Sequence, residues 1–63
     1  LTTYTVRFTR TYTNGVTAPD RVDCGNEQDL QRMVEWAEYH AAVPVRYCDT
    51  TYTVSNVTVE EKN

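Results

Sequence analysis

The sequence has few of the residues that identify a functional site by themselves. Cys24 and Cys48 are its only cysteines, which is too few for a disulfide-rich scaffold, and their spacing matches no zinc-binding pattern. His40 is the only histidine, so a zinc site would lack ligands. The sequence therefore predicts neither a metal nor a cofactor.

Long apolar runs and clusters of basic residues are also missing. No run approaches the ~18 apolar residues of a transmembrane helix. Lysine and arginine number 6 against 9 acidic residues, and the net charge is −3. Nucleic acids and anionic membranes favour a clustered basic patch, so we expect neither as a partner. We expect a cytoplasmic protein, with a secreted one as the alternative.

One stretch, Gly25 to Val43, has the periodicity of a helix. Asn26 is a good N-cap, and acidic residues in the first turn suit the helix dipole. Pro44 marks the predicted end. The apolar residues of this stretch recur with the spacing of one helical face, and they are Leu30, Met33, Val34, Ala37 and Ala41.

Before the helix, the sequence predicts a β-hairpin. Residues 3–13 alternate between apolar and polar side chains, and the Asn-Gly dipeptide at 14–15 is a strong turn signal. A two-residue turn would put Val16 and Ala18 on the threonine face of the first strand. A three-residue loop, residues 13–15 with the glycine left-handed, puts them on its apolar face. We predict the three-residue loop because it collects the apolar residues on one side.

After the helix, Val43–Tyr47 and a segment around Tyr52 predict two more strands, with Val43, Val45 and Tyr47 pointing inward. Residues 1–63 are expected to form one small α+β domain. Its elements follow the order β-β-α-β-β along the chain. The four strands form one mainly antiparallel sheet, with the helix packed on one face. The first strand should be central, and Pro19 predicts that the second is an edge strand. We expect the strand order 2-1-3-4; the second choice is 2-1-4-3 with strands 1 and 4 parallel.

The last strand contains a change of phase. Val57 and Val59 have the opposite parity to Tyr52 and Val54, so one alternation cannot place all four on one face. A β-bulge near residues 55–56 would restore a common face. Alternatively, the strand ends there and the tail frays.

The expected strand order also bears on the two cysteines. It puts Cys24 and Cys48 at the same end of the sheet with strand 1 between them, at a separation of ~10 Å that is too long for a disulfide. We therefore predict free thiols. A secreted domain held together by one Cys24–Cys48 disulfide is the alternative.

The helix has two unlike flanks. Trp36 lies about 120° from the apolar axis, and aromatic residues with a polar rim are typical of interfaces. We predict that this aromatic flank binds a partner; it comprises Arg32, Trp36, Tyr39 and His40. Alternatively, Trp36 folds over the sheet edge and completes a thin core. The opposite, acidic flank comprises Glu27, Glu35 and Glu38.

Catalytic groups are hard to find. His40 has Trp36 and Ala37 one turn before it, so neither a nucleophile nor a carboxylate is paired with it there. Cys24 precedes the helix, whose N-terminus would lower its pKa, which makes it the most reactive candidate. We favour the structural explanations of Cys24, a small buried hydrophobe or half of a disulfide. We predict that the protein is not an enzyme.

The predicted open face of the sheet is rich in threonine and arginine and could receive an acidic ligand. Sheets that bind single-stranded RNA carry aromatic residues on the open face, whereas parity puts those of this chain under the helix. This argues against RNA and for an ordinary solvated face. The open-face residues are Thr3, Thr5, Arg7, Thr9, Thr11, Arg46 and Thr53, and the aromatic residues are Tyr4, Phe8, Tyr12, Tyr47 and Tyr52.

Taken together, these patterns predict a non-enzymatic protein-binding module or modulator that acts through its helix, on a protein partner or as a homodimer. Small acidic chains of this kind fit accessory or mobile-element genes, including those of phages. Besides the secreted domain, a second alternative is an acidic mimic of nucleic acid that binds a basic partner. It would use the acidic flank together with Asp20 and Asp23.

Overall fold

A computed structural model describes residues 1–63 and has the predicted element order. The helix α1 packs on one face of a four-stranded sheet in which all neighbouring strands are antiparallel. The α+β prediction is therefore confirmed. The elements are β1 (Thr3–Tyr12), β2 (Thr17–Cys24), α1 (Glu27–Tyr39), β3 (Val45–Tyr47) and β4 (Thr50–Lys62).

The strand order is β2-β1-β4-β3, so the predicted order 2-1-3-4 is wrong. The second choice has the correct order, but β1 and β4 are antiparallel rather than parallel. Strand length explains the arrangement. β1 has 10 residues and β4 has 13, whereas β3 has only 3 and pairs with the first residues of β4. Only a strand as long as β4 can pair with the whole second edge of β1.

The first hairpin has the predicted register, with β1 central and β2 at an edge. Val6 pairs with Val22 and Arg10 with Ala18, so the apolar residues share a face. The Tyr12 N–H donates to the Val16 carbonyl over 2.8 Å, which closes the three-residue loop. Gly15 in this loop has a φ of 88°, in the left-handed region.

Gly15→Val should lower the free energy of unfolding by ~1 kcal/mol or more, because a β-branched residue resists a positive φ. No atom lies within 4 Å of an added Cβ, so the cost comes from the backbone alone. Gly25→Val is the matched control, since that site is equally open but has no left-handed φ. Urea unfolding of both variants makes the comparison. Equal stability of the two variants would show that the loop does not require glycine.

The helix is shorter than its periodicity predicts. It begins as expected, since the Asn26 side chain accepts a hydrogen bond of 2.8 Å from the Asp29 N–H. It ends at Tyr39, with His40 as the C-cap, rather than at Val43 before the proline. The reason is that the His40 carbonyl leaves the helical pattern and accepts a hydrogen bond of 3.0 Å from the Val54 N–H of β4.

The core between sheet and helix is thin. The helix contributes only Ala37 to it, and Trp36 packs against it while half-buried. Val43 and Tyr47, predicted to point inward, are exposed. Val43 lies before β3 rather than in it, and Tyr47 ends this short edge strand, which has no neighbour beyond it. The buried apolar residues are Val6, Phe8, Cys24, Ala37, Tyr52 and Val54.

The predicted bulge lies in β4. Arg7 pairs with Thr58 and Thr9 with Ser55, so Phe8 alone faces two residues, of which Asn56 has a φ of 53°. The alternative, a strand that ends there, is wrong because β4 continues to Lys62. The bulge resets the alternation, as the phase change requires.

The two cysteines are free, as predicted, but for a different reason. Cys24 pairs with Tyr4 at one end of β1, whereas Cys48 lies in the β3–β4 turn beyond Tyr12, at the other end. At ~3.4 Å per residue, about 27 Å of strand separates Tyr4 from Tyr12. The prediction that both cysteines share one end is wrong because it followed from the wrong strand order.

Candidate functional site

The outer side of β4 is an open sheet edge, and the hydrogen bonds of β1 show which backbone groups it exposes. The Tyr12 N–H donates into the β2 side, whereas the Thr13 N–H donates to Thr51 at the start of β4. The backbone N–H and C=O groups of successive residues point to opposite sides of a strand. Those of the odd-numbered residues of β1 therefore point toward β4. Their partners after the bulge are Thr58, Glu60 and Lys62. These residues therefore use their N–H and C=O groups on β1.

The residues between these partners direct their backbone groups away from β1. They are Val57, Val59 and Glu61, and β3 pairs with β4 only at residues 50–52. No strand therefore pairs with the outward N–H and C=O groups of these three residues. The part of β4 without a second neighbour begins after Val54, whose N–H is already bonded to the His40 carbonyl.

The exposed backbone lies beside exposed apolar side chains. Val57 is 38% exposed and Val59 is 48% exposed. Val59 pairs with the buried Val6, so both valines lie on the face of the sheet that carries the helix. Glu61 pairs with Tyr4 and lies on this face as well. We call this stretch, residues 57–61, the open edge.

The acidic flank of α1 lies on the side of the helix toward β4. Met33 and Trp36 line a cleft with Val22 of β2, so this side of the helix faces β2. Because β1 lies between β2 and β4, the opposite flank faces β4. A groove follows that flank, lined by Tyr4, Glu27, Leu30, Gln31, Val34, Glu35 and Glu38.

The residues of the predicted aromatic flank have different environments. Arg32 and Trp36 line the cleft on the β2 side. The Trp36 ring lies 5.7 Å from Phe8, edge to face, so the indole packs on the core as well as lining the cleft. His40 stacks 4.9 Å from Trp36, and its Nδ1 is 2.7 Å from the Val43 carbonyl. Tyr39 is 61% exposed, and Arg32 lies at the surface.

Cys24, the most reactive candidate of the sequence, is buried at the end of β2. Burial raises the pKa of the Cys24 thiol, and the negative charges of Asp29 and Asp23 raise it further. This direction is opposite to the lowering expected from a helix N-terminus. No group of three or more His, Cys, Asp or Glu side chains could hold a metal ion.

The open face is not a uniform solvated surface. Thr5 is buried and donates a hydrogen bond of 2.9 Å to the Asp23 carboxylate. Asp20 pairs with Arg10 on the opposite, helix-covered face. The acidic residues proposed to mimic nucleic acid therefore do not form one continuous surface.

Comparison with protein-family models, with curated proteins and with solved structures gives no match to this chain. The helix is too short and too polar to cross a membrane.

Val57 and Val59 are not among the binding residues predicted from the sequence. Their signal was the change of phase after Val54, which marks the residues beyond a bulge. Their exposure depends on the strand order, because with β3 beside β1 a different edge would be open. The acidic flank was recognised from the helical periodicity, but its position beside an open edge was not.

Proposed function

We propose that the protein is a non-enzymatic protein-binding module that receives an extended segment of a partner at the open edge. The segment adds as a fifth strand beside β4, under the acidic flank of α1. One observation carries this proposal: Val57 and Val59 expose both their side chains and their backbone hydrogen-bonding groups on the same edge. Strand addition is a common way to bind peptides, with backbone hydrogen bonds providing affinity.

Sheet edges are normally protected against such pairing, and the edge formed by β2 is protected in this way. Among the residues of β2 whose backbone groups point outward, Pro19 offers no N–H, and Arg21 and Asp23 are charged. The end of β4 has less protection, because Glu60 and Lys62 lie on the open face with their backbone groups on β1, which leaves Glu61 as the one charged residue of the open edge. The open edge therefore has the features of a binding site.

The helix supplies one wall of this site. The neighbouring strand in a sheet lies ~4.8 Å away, and a helix packs ~10 Å above the sheet. An added strand would therefore have its inward side chains beside Leu30, Val34 and the acidic residues of the groove. Such alternate side chains provide specificity in strand addition.

The aromatic flank is the second candidate surface for the same function. Its most exposed ring is Tyr39, since Trp36 packs on Phe8. It offers side chains but no unpaired strand. The open edge is favoured because it provides directional hydrogen bonds in addition to apolar contact.

Val59→Pro should abolish peptide binding while keeping the fold. Its N–H points away from β1, so proline removes a group that only a partner would use, and proline is tolerated on strand edges. The measurement is selection of random displayed peptides of about nine residues against the wild-type protein. The selected peptides are then retested on the variant. Val59→Thr is the matched control, because it keeps the N–H and the β-branched shape.

Peptides that bind Val59→Pro as tightly as the wild-type protein would contradict strand addition at this edge. If the same peptides lose binding to Tyr39→Ala, the aromatic flank is the binding surface instead. Circular dichroism confirms that each variant is folded before the comparison.

A further inference from the structure

We infer that the segment bound at the open edge is positively charged at both ends and apolar in the middle. This inference rests on the proposed function. The inward side chains of the segment would follow the pattern basic, apolar, apolar, basic at alternate positions. The pattern reads the same in both directions, so it applies to parallel and antiparallel addition alike.

The apolar middle follows from the two valines. In strand addition, inward side chains of the segment lie opposite inward side chains of β4. Val57 and Val59 are inward and exposed, so β-branched or other apolar side chains fit opposite them.

At the Glu61 end of the open edge, two carboxylates lie near one tyrosine. Tyr4 pairs with Glu61, and its hydroxyl donates a hydrogen bond of 3.4 Å to Glu27. Burial raises the pKa of Tyr4, and the negative charges of Glu27 and Glu61 raise it further. A basic side chain opposite Glu61 would lie between these carboxylates.

At the Val54 end, the helix contributes the carboxylate of Glu38, while the charge of Arg10 is already paired with Asp20. Glu38 lies in the last turn of α1, two residues before His40, whose carbonyl closes the edge at Val54. Val54 pairs with Arg10, and about 20 Å of strand separates Arg10 from Tyr4. The site thus accommodates about seven extended residues, with a carboxylate near each end.

These carboxylates have no basic partner within the chain. The ion pairs of the protein join Arg7 to Glu60, Lys62 to Glu60 and Arg10 to Asp20. Glu27, Glu38 and Glu61 take part in none of them. A basic segment would provide the missing opposite charges, whereas a second copy of this chain would bring another acidic flank to the same groove, against like charge.

Three capped synthetic peptides test the inference: Lys-Thr-Val-Thr-Val-Thr-Lys and the same peptide with serine or glutamate at both ends. At low salt, the lysine peptide should bind at least about 10-fold more tightly than the serine peptide, and the glutamate peptide should bind most weakly. The preference should shrink in ~0.5 M salt, because the charges are screened. Fluorescence anisotropy of labelled peptides gives the affinities.

Neighbouring residues provide the matched protein control. Glu61→Gln should reduce the preference for the lysine peptide about 3-fold, because its side chain lies on the helix face at the open edge. Glu60→Gln, which lies on the open face beside Arg7 and Lys62, should leave the preference unchanged.

Equal binding of the lysine and serine peptides, with both lost in Val59→Pro, would overturn the charge inference and leave strand addition intact. Failure of all three peptides to bind would overturn both. A dimer in sedimentation that Val59→Pro dissociates would show that a second copy occupies the edge, and would also overturn the inference.

Discussion

Trp36→Ala should lower the free energy of unfolding by about 2–3 kcal/mol. Complete burial of a tryptophan gives ~3–5 kcal/mol for this change, and part of the Trp36 indole is exposed. A domain of this size has roughly 3–5 kcal/mol of stability in total, so the variant would be close to unfolded. The physical reason is the edge-to-face contact with Phe8, 5.7 Å between ring centres, in a core with few other large side chains.

Tyr39→Ala is the matched control, because its ring is 61% exposed. It should change the stability by no more than about 0.5 kcal/mol. Urea unfolding followed by circular dichroism compares the two variants without relying on the removed indole. A Trp36→Ala variant as stable as the wild-type protein would favour the aromatic flank as an interface rather than as part of the core.

Asp20→Ala should cost about 2 kcal/mol, between the values for exposed and for buried ion pairs. Arg10 is only 25% exposed in its side chain, and Asp20 is its carboxylate partner. The guanidinium also lies 4.7 Å from the centre of the Tyr52 ring and donates to the Tyr12 hydroxyl. Without Asp20, this partly buried charge loses its neutralising partner, and its Nε already has no hydrogen bond.

The double variant Arg10→Met, Asp20→Ala distinguishes charge from packing. Methionine keeps contact with the tyrosine rings and leaves no unpaired charge, so the double variant should recover more than half of the lost stability. Thermal and urea unfolding of the single and double variants measure this coupling. A double variant less stable than Asp20→Ala alone would show that the contacts of the guanidinium with the tyrosines matter more than the ion pair.

Local patterns were sufficient to predict much of this fold. The register of the first hairpin followed from parity, because only one loop length puts Val16 and Ala18 on the apolar face. The helix N-terminus followed from Asn26, whose side chain caps it. These features depend on residues close together in sequence, where alternation and capping leave few choices.

The strand order could not be predicted in the same way. Both candidate orders satisfy the alternation of every strand, so the decision depends on strand length. The phase change at Asn56 allowed either a bulged strand or a strand that ends there, so the full length of β4, 13 residues, was left open. Recognising a continuous β4 would have favoured it as the partner of β1. The open edge could not be predicted without this order.

The bulge at Asn56 makes the apolar edge independent of one codon of the gene. Beyond the bulge, every side chain faces opposite to the direction that an uninterrupted count would give. Loss of Asn56 would remove the extra residue and leave a regular ladder with Val57 opposite Phe8, so Val57 and Val59 would still face the helix. Related chains could thus gain or lose this one residue, without any substitution, and keep the apolar edge.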